Sequence, residues 1–355
     1  MRNAAAPIDR AALRSAVQAR GRKEGAYNGG LCDIVGTGGD SHNTFNISTT
    51  ASILASSLLM IAKHGNRAST SKSGSADLLL STPRPPSLNA ISPSNLPSLY
   101  RHTNYAFLFA PTFHPGMRFV APIRKELGWR TIFNLLGPLS NPVDDKRPVL
   151  EARVIGVARR DLGPAFARAF VLSGVRKAMV VCGDEELDEL SCAGPTHCWR
   201  IVERANPAYT STGDADHDSD TSDDDAEPPT LAHVEYFTLS PSDFGFPPHP
   251  LASVGPGKEP KENAAIFTRI LAGEMDFNDP IMHFVLINTA ALFVVSGICE
   301  GDSSCMGEGD DGQVITERGP GGGRWKEGVR RAKWAISSGA AGREWERFVE
   351  GTKGL

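Results

Sequence analysis

Residues 33–77 gather glycines, hydroxyls, amides and cations in an order suited to holding phosphate. They read D-I-V-G-T-G-G-D-S-H-N-T-F-N-I-S-T, then an apolar segment, then K-H-G-N-R-A-S-T-S-K-S-G-S-A-D. Ile34 and Val35 look like the end of a buried strand, after which Gly36, Thr37, Gly38, Gly39 and Asp40 must turn sharply. The three glycines permit positive φ and bring bare N–H groups toward a ligand. Asn46, Ser48 and Thr49 precede residues 51–60, whose Ile53, Leu54, Ser57 and Leu58 follow helical spacing, and donors at a helix start suit an anion. The second loop adds Lys63 and Arg67, then Ser69, Thr70, Ser71, Ser73 and Ser75, more donors than an apolar core would leave unsatisfied. Together the loops suggest a ligand with two phosphate groups. Taken singly, each reads as well as a glycine turn joined to a capped helix. A P-loop is excluded, since no G-x-x-x-x-G-K-[ST] is present, and residues 36–41 lack the last glycine of a dinucleotide fingerprint.

A second set of candidates is acidic. Residues 154–157 and 178–181 look like buried strands flanking a helix over 162–172, a strand-helix-strand unit of a parallel sheet. Directly after it, residues 183–191 read G-D-E-E-L-D-E-L-S, with five carboxylates. Ligands of open α/β sheets gather at the carboxyl ends of strands, so this turn is either a set of hard oxygen ligands for Mg²⁺ or a solvated acidic turn.

The elements that position these groups belong to a chain of 355 residues, 40% hydrophobic and 22% charged, enough for one large or two modest domains. No apolar run reaches the ~18 residues of a membrane span. The formal charge is −4, but eight acidic residues crowd 214–227, in a stretch without Lys or Arg. The remainder is mildly basic, which suits a small polyanion and is too scattered for nucleic acid. Six cysteines without a C-x-x-C pair or a secretory signal fit a reducing compartment, and the expected location is cytoplasmic. Cys192, His197 and Cys198 lack the second ligand pair of a zinc site. The arginines of residues 1–30 superficially fit a presequence, but Asp9 as a cap with Leu13, Ala16 and Val17 on one face favours a helix near 8–20. Prolines make 81–99 an extended connector, residues 99–109 are apolar enough to pack a helix, and residues 120–129 follow as another. The acidic segment 205–230 is expected to be a disordered insertion, and 300–323 a Gly- and Asp-rich loop. Residues 281–295 form an apolar helix, and 325–345 a closing helix or helix pair. There is no internal repeat.

G-T-G-G-D, N-I-S-T, K-H-G-N-R and S-K-S-G-S-A-D, in this order and spacing, resemble anthranilate phosphoribosyltransferase of tryptophan biosynthesis, in its fungal branch. F-N-L-L-G-P-L-x-N-P at 133–142 and L-D-E-x-S at 187–191 extend the similarity to roughly residues 33–351, less the two insertions. The resemblance implies a nucleoside phosphorylase/phosphoribosyltransferase-like α/β fold: a small helical domain (1–30 and about 95–130) beside a larger α/β domain (31–94 and 131–351) with a mainly parallel sheet. It implies that phosphoribosyl pyrophosphate is held by residues 36–40, Thr44, Asn46, Ile47, Ser48, Thr49, Lys63, His64, Gly65, Asn66, Arg67, Ser71 and Ser75. Anthranilate would meet Gly36, Asn66, His114 and Arg124, the last facing its carboxylate. Ser48, Asp188 and Glu189 would hold Mg²⁺. An arylamine is neutral near pH 7 and needs positioning more than deprotonation, so no general base is assigned. The alternatives are a pyrimidine nucleoside phosphorylase-like enzyme, for which Arg124 has no evident use, and a non-catalytic ligand-binding relative. Leu80 departs from the Glu common in the bacterial pattern. Relatives open with several helices that complete the small domain and form a homodimer contact. With about thirty residues before the first loop, apolar faces of the helices at 99–129 are expected to be partly uncovered, and dimerisation weakened.

Overall fold

The computed structural model describes residues 4–42, 44–68, 72–127, 131–144, 149–207, 230–255 and 259–355, with the backbone alone at Arg124, Lys125, Leu127 and Asn134. The described residues form one seven-stranded sheet in the order β3-β2-β1-β4-β5-β6-β7. The strands are β1 Leu31–Gly36, β2 Met60–Gly65, β3 Tyr105–Phe109, β4 Leu150–Gly156, β5 Lys177–Gly183, β6 Thr196–Ala205 and β7 Thr230–Leu239. β1 to β5 pair in parallel; β6 and β7 complete the sheet antiparallel. The parallel strands are mostly apolar and buried along their length because helices cover both faces. Helices Ile47–Ala55 and Pro280–Ser296 pack together against the sheet, and nearly every residue of the latter is buried. Helix Leu162–Leu172 packs against β5 and β6, where Phe166, Phe170, Ile155 and Val180 make a second core.

The expected strand-helix-strand unit is present, with Leu162–Leu172 as the crossover between β4 and β5. The first helix is Arg10–Arg20. Asp9 caps it, its carboxylate accepting from Ala12 N at 2.9 Å, and Leu13, Ala16 and Val17 are buried. The closing segment is a helix pair, Trp325–Ser337 and Ala340–Lys353. No helix among the described residues is long and apolar enough to cross a membrane.

Three expectations need correction. The connector expected over 81–99 is not extended throughout: it holds a 3-10 turn, Leu88–Ala90, and a short helix, Leu96–Leu99, which accepts Pro97 in its first turn. The helix placed at 51–60 lies earlier, at Ile47–Ala55. Ser56 and Ser57 turn their hydroxyls onto the carbonyls of Ile53 and Leu54 at its end, and Met60 already begins β2. The helix expected over 99–109 is β3 in its second half. Y-A-F-L-F is a short apolar run, which periodicity cannot assign, and its aromatic content suits a strand buried on both faces.

Ala205 pairs with Thr230, so the acidic insertion springs from the tip of the β6–β7 hairpin. The disorder expected over 205–230 is overturned at its ends, where Ala205 and Thr230 are paired in strands, and its residues 208–229 lie outside the described residues. The loop over 300–323 is held by Asp310, whose carboxylate accepts from Ser304 Oγ, Met306 N and Arg330 Nη1 at 2.8 to 3.1 Å. Phe119, Ile123 and Ile132 stand more than half exposed.

Candidate active site

β1 continues to β2 on one side of the sheet, whereas β4 lies on its other side, so the strand order reverses between β1 and β4. Crevices of this kind, at carboxyl ends of parallel strands, are where open α/β sheets bind ligands. Both strands end here in glycine, Gly36 opposite Gly156. A Cβ on Gly36 would meet Asp188 Oδ2 at 2.2 Å, and one on Gly156 would meet the Asp188 carbonyl at 1.6 Å. The two glycines therefore admit the acidic turn to the mouth of the crevice, and Asp188 lies directly on it.

A cavity of about 520 Å³ opens there, a size suited to a small phosphorylated ligand. Gly36, Thr37, Gly38, Gly39, Asp40, Thr44, Asn46, Ser48, Thr49, Lys63, His64, Gly65, Asn66, Arg67, Ser75, Asp188 and Glu189 all line it. Two loops and the acidic turn, separated in sequence, thus face one space. Ile47 is fully buried and its N–H donates to Phe45 O, so it shapes the wall without lining it. His114 lies behind His64: their rings meet edge to face at 5.1 Å, and His114 Nε2 donates to Ser140 O at 3.1 Å. Arg124 belongs to helix Ala121–Leu127, but its side chain lies outside the described residues, as does all of Ser71.

The interior electrostatics are lopsided. Asp33, Asp188 and Glu189 converge on a buried cation, Lys63, 1% exposed, which donates to Ile34 O at 2.6 Å and Ser48 Oγ at 3.4 Å. Gly38 N donates to Asp188 Oδ2 at 2.5 Å, and Ser48 N, in the first turn of helix Ile47–Ala55, donates to Glu189 Oε1 at 3.2 Å. These N–H groups favour charge, but burial outweighs them. Burial, then the facing Asp40, pushes the Asp188 carboxyl up to about 7. Burial, then Asp188 and Asp40, holds Glu189 well above the usual range. Burial lowers Lys63, against the pull of Asp33, Glu189 and Asp188. Burial also pushes His64 down to about 3, with His114 adding to it, so its imidazole is neutral at physiological pH.

A polyanion cannot sit against buried carboxylates without a cation between them. Glu189 Oε2 is buried without a partner among the described residues, an orphaned acceptor aimed at such an ion. No three His, Cys, Asp or Glu among the described residues are close enough to hold a metal alone. Mg²⁺ usually takes one or two carboxylates, several waters and the oxygens of its phosphate partner, and Asp188 and Glu189 supply the carboxylates here. The residues present therefore fit the cation.

Sequence reasoning missed the supports. Asp77 Oδ2 accepts from Ala68 N at 2.8 Å and Gly74 N at 3.1 Å, folding the second loop onto itself. Asn46 exchanges hydrogen bonds with Ser73 and accepts from Asn263 Nδ2 at 3.1 Å. Asn141 Nδ2 donates both to Asp33 Oδ2 at 2.8 Å and to Ala62 O at 2.9 Å. One signal was available for Asp33: a lone charge within the apolar strand L-C-D-I-V-G.

The glycosyl transferase family, a/b domain, matches residues 28–215 and 226–342. The anthranilate phosphoribosyltransferase of Schizosaccharomyces pombe is 40% identical over 317 residues, 89% of this chain and 73% of that protein. That of Saccharomyces cerevisiae is 36% identical over 335 residues, 92% and 73% of the two chains. Among solved structures, the Saccharomyces cerevisiae enzyme in complex with phosphoribosyl pyrophosphate and Mg superposes with a TM-score of 0.70 at 34% identity, covering 92% of this chain and 74% of that one. The Thermus thermophilus enzyme gives 0.69 at 31%, covering 99% and 82%. With its two small-residue loops and acidic turn on one switch-point crevice, and with these relatives across most of its length, the chain belongs to the anthranilate phosphoribosyltransferase family.

Proposed function

We propose that this cavity binds phosphoribosyl pyrophosphate and joins its ribose C1 to the amino nitrogen of anthranilate. The C1–O bond to pyrophosphate breaks with its electron pair leaving on pyrophosphate, the N–C1 bond forms, and the amine gives up one proton to solvent. The observation that carries this reading is the convergence of both small-residue loops on Asp188 and Glu189 in one crevice.

Residues 36–40, Asn46, Ser48 and Thr49 grip the pyrophosphate, with Ile47 packed behind them as part of the wall. Lys63, His64, Gly65, Asn66, Arg67, Ser71 and Ser75, with Thr44, orient the phosphoribosyl part. Ser48, Asp188 and Glu189 would hold Mg²⁺, which when bound neutralises the charge growing on the leaving pyrophosphate. Lys63 adds a fixed positive charge beneath it. His64 is too weak a base at a pKa of about 3 to take the amine proton. That agrees with a reaction governed by positioning, the neutral arylamine being nucleophilic as bound.

Gly36, Asn66, His114 and Arg124 are assigned to anthranilate. Arg124 would form paired, charge-assisted hydrogen bonds with its carboxylate. This reading divides the chain into a small helical part, 1–30 with about 95–130 less β3, and an α/β body of 31–94 with 131–351, placing the carboxylate partner and the phosphate loops on different bodies. We assign the reaction to the cytoplasm, which suits six thiols that form no disulfide.

The direct test is loss of anthranilate fluorescence when phosphoribosyl pyrophosphate and Mg²⁺ are added together. No loss, with consumption of thymidine and phosphate instead, would mark a phosphorylase. Arg124→Ala is expected to raise KM for anthranilate by roughly tenfold or more and leave that for phosphoribosyl pyrophosphate nearly unchanged. Equal rises in both would make Arg124 structural.

A further inference from the structure

Among the described residues, two that are not glycine have left-handed backbone, Ser41 at φ 71° and Glu186 at φ 61°. They flank a single contact. Ser41 precedes His42, whose Nε2 donates to the backbone carbonyl of Glu185 at 2.8 Å, and Glu186 follows that carbonyl. A carbonyl only accepts, so the bond needs a proton on Nε2, which the neutral ring and the charged ring can both supply. Left-handed residues other than glycine are strained and persist only where their surroundings hold them, commonly beside functional sites.

The Glu185 side chain accepts from Ser191 Oγ, which in turn accepts from Ala193 N, and Glu186 N closes the turn onto Gly183 O at 2.9 Å. The glycine loop, with Gly38 and Gly39 at φ 72° and 77°, meets the acidic turn once where Gly38 N donates to Asp188 Oδ2 at 2.5 Å, and His42 adds a second tie further along the loop. His42 is half-buried, and the first buried side chain after it among the described residues is Phe45. The backbone N–H of His42 also donates to Asp40 Oδ1 at 3.1 Å, so the residue that reaches the acidic turn also sets the carboxylate facing Asp188.

We propose that His42 is a positioning residue for the phosphate end of the substrate. Its imidazole ties the glycine loop to the acidic turn and holds Asp40 and the loop amides where the pyrophosphate group is received. This rests on the substrate reading given above. A glutamine amide reaches about as far as imidazole Nε2 and donates to the same carbonyl, whereas alanine cannot.

His42→Ala is expected to raise KM for phosphoribosyl pyrophosphate about tenfold, the scale of one well-placed hydrogen bond, with KM for anthranilate and Tm little changed. His42→Gln is expected to restore most of the loss. An unchanged KM for phosphoribosyl pyrophosphate, an equal rise for both substrates, or a Gln variant as impaired as the Ala variant overturns the proposal. Amide exchange over residues 38–42 in the ligand-free protein gives a readout that needs no turnover. It should quicken in His42→Ala and stay near wild type in His42→Gln; identical exchange in all three proteins overturns the tether. Wild-type protein that fails to consume anthranilate sinks the substrate reading, and exchange still decides the tether.

Discussion

Asp188→Asn combined with Glu189→Gln is expected to lower kcat by at least ~10²-fold, the scale of losing one strong electrostatic contact to a transition state, while making the metal-free protein more stable. The two effects share a cause. Both carboxyls have folded pKa values above the unfolded ones, Asp188 at about 7, because burial and then neighbouring carboxylates, Asp40 at Asp188 and both Asp188 and Asp40 at Glu189, penalise their charge. Stability tied to Asp188 is thus fully present below its unfolded pKa and lost as pH rises toward and through about 7. The amide variant has no such charge to lose. In chelator its Tm should exceed that of wild type at pH 8 and approach it in acid. Added Mg²⁺ should raise wild-type Tm more at pH 8 than at pH 6, since the cation needs both carboxylates unprotonated, and should hardly move the variant. Near-normal turnover of the variant in saturating Mg²⁺ would remove these residues from the metal site.

Lys63→Met is expected to have the largest effect on stability. Methionine keeps most of the apolar stem but removes the cation that Asp33, Asp188 and Glu189 share. Breaking a buried charge set from one side typically costs about 3–5 kcal/mol, because the remaining charges stay buried without a partner. Those carboxyls already sit above their usual range, and without Lys63 they rise further. The penalty should therefore be large at pH 8 and shrink toward pH 5 as they take up protons. Urea midpoints at the two pH values decide it: an equal drop at both would assign the loss to packing around the stem.

What could be read from sequence was what neighbours in sequence decide. The Asp9 cap, the crossover helix over 162–172 and the glycine loop after β1 each declare themselves within a few residues. The chemical groups were legible too, since both loops and the L-D-E turn reach the cavity. Their supports were not. Asn141 reaches Asp33, and Asn263 reaches Asn46, through contacts that chain order does not announce. Where helix and strand compete for a short apolar run, as in Y-A-F-L-F, the sheet decided, by offering β2 as a partner. The tie between His42 and Glu185 was equally invisible, because nothing in S-H-N-T marks a histidine as a reach across the crevice.

The β1–β4 junction also bears on how the molecule is made. β1 is complete by residue 36, yet its partner on that side begins at Leu150, and Asn288 must come later still to accept from Leu190 N and return a bond to Leu190 O beside the acidic turn. During synthesis from the amino terminus, L-C-D-I-V-G therefore waits with one largely apolar edge unpaired while the intervening chain emerges from the ribosome. Such an edge is a template for pairing with another nascent chain, and closing so long a loop is slow. The crevice that brings distant segments together in the finished enzyme is thus the part of the sheet most exposed to aggregation before the enzyme is finished.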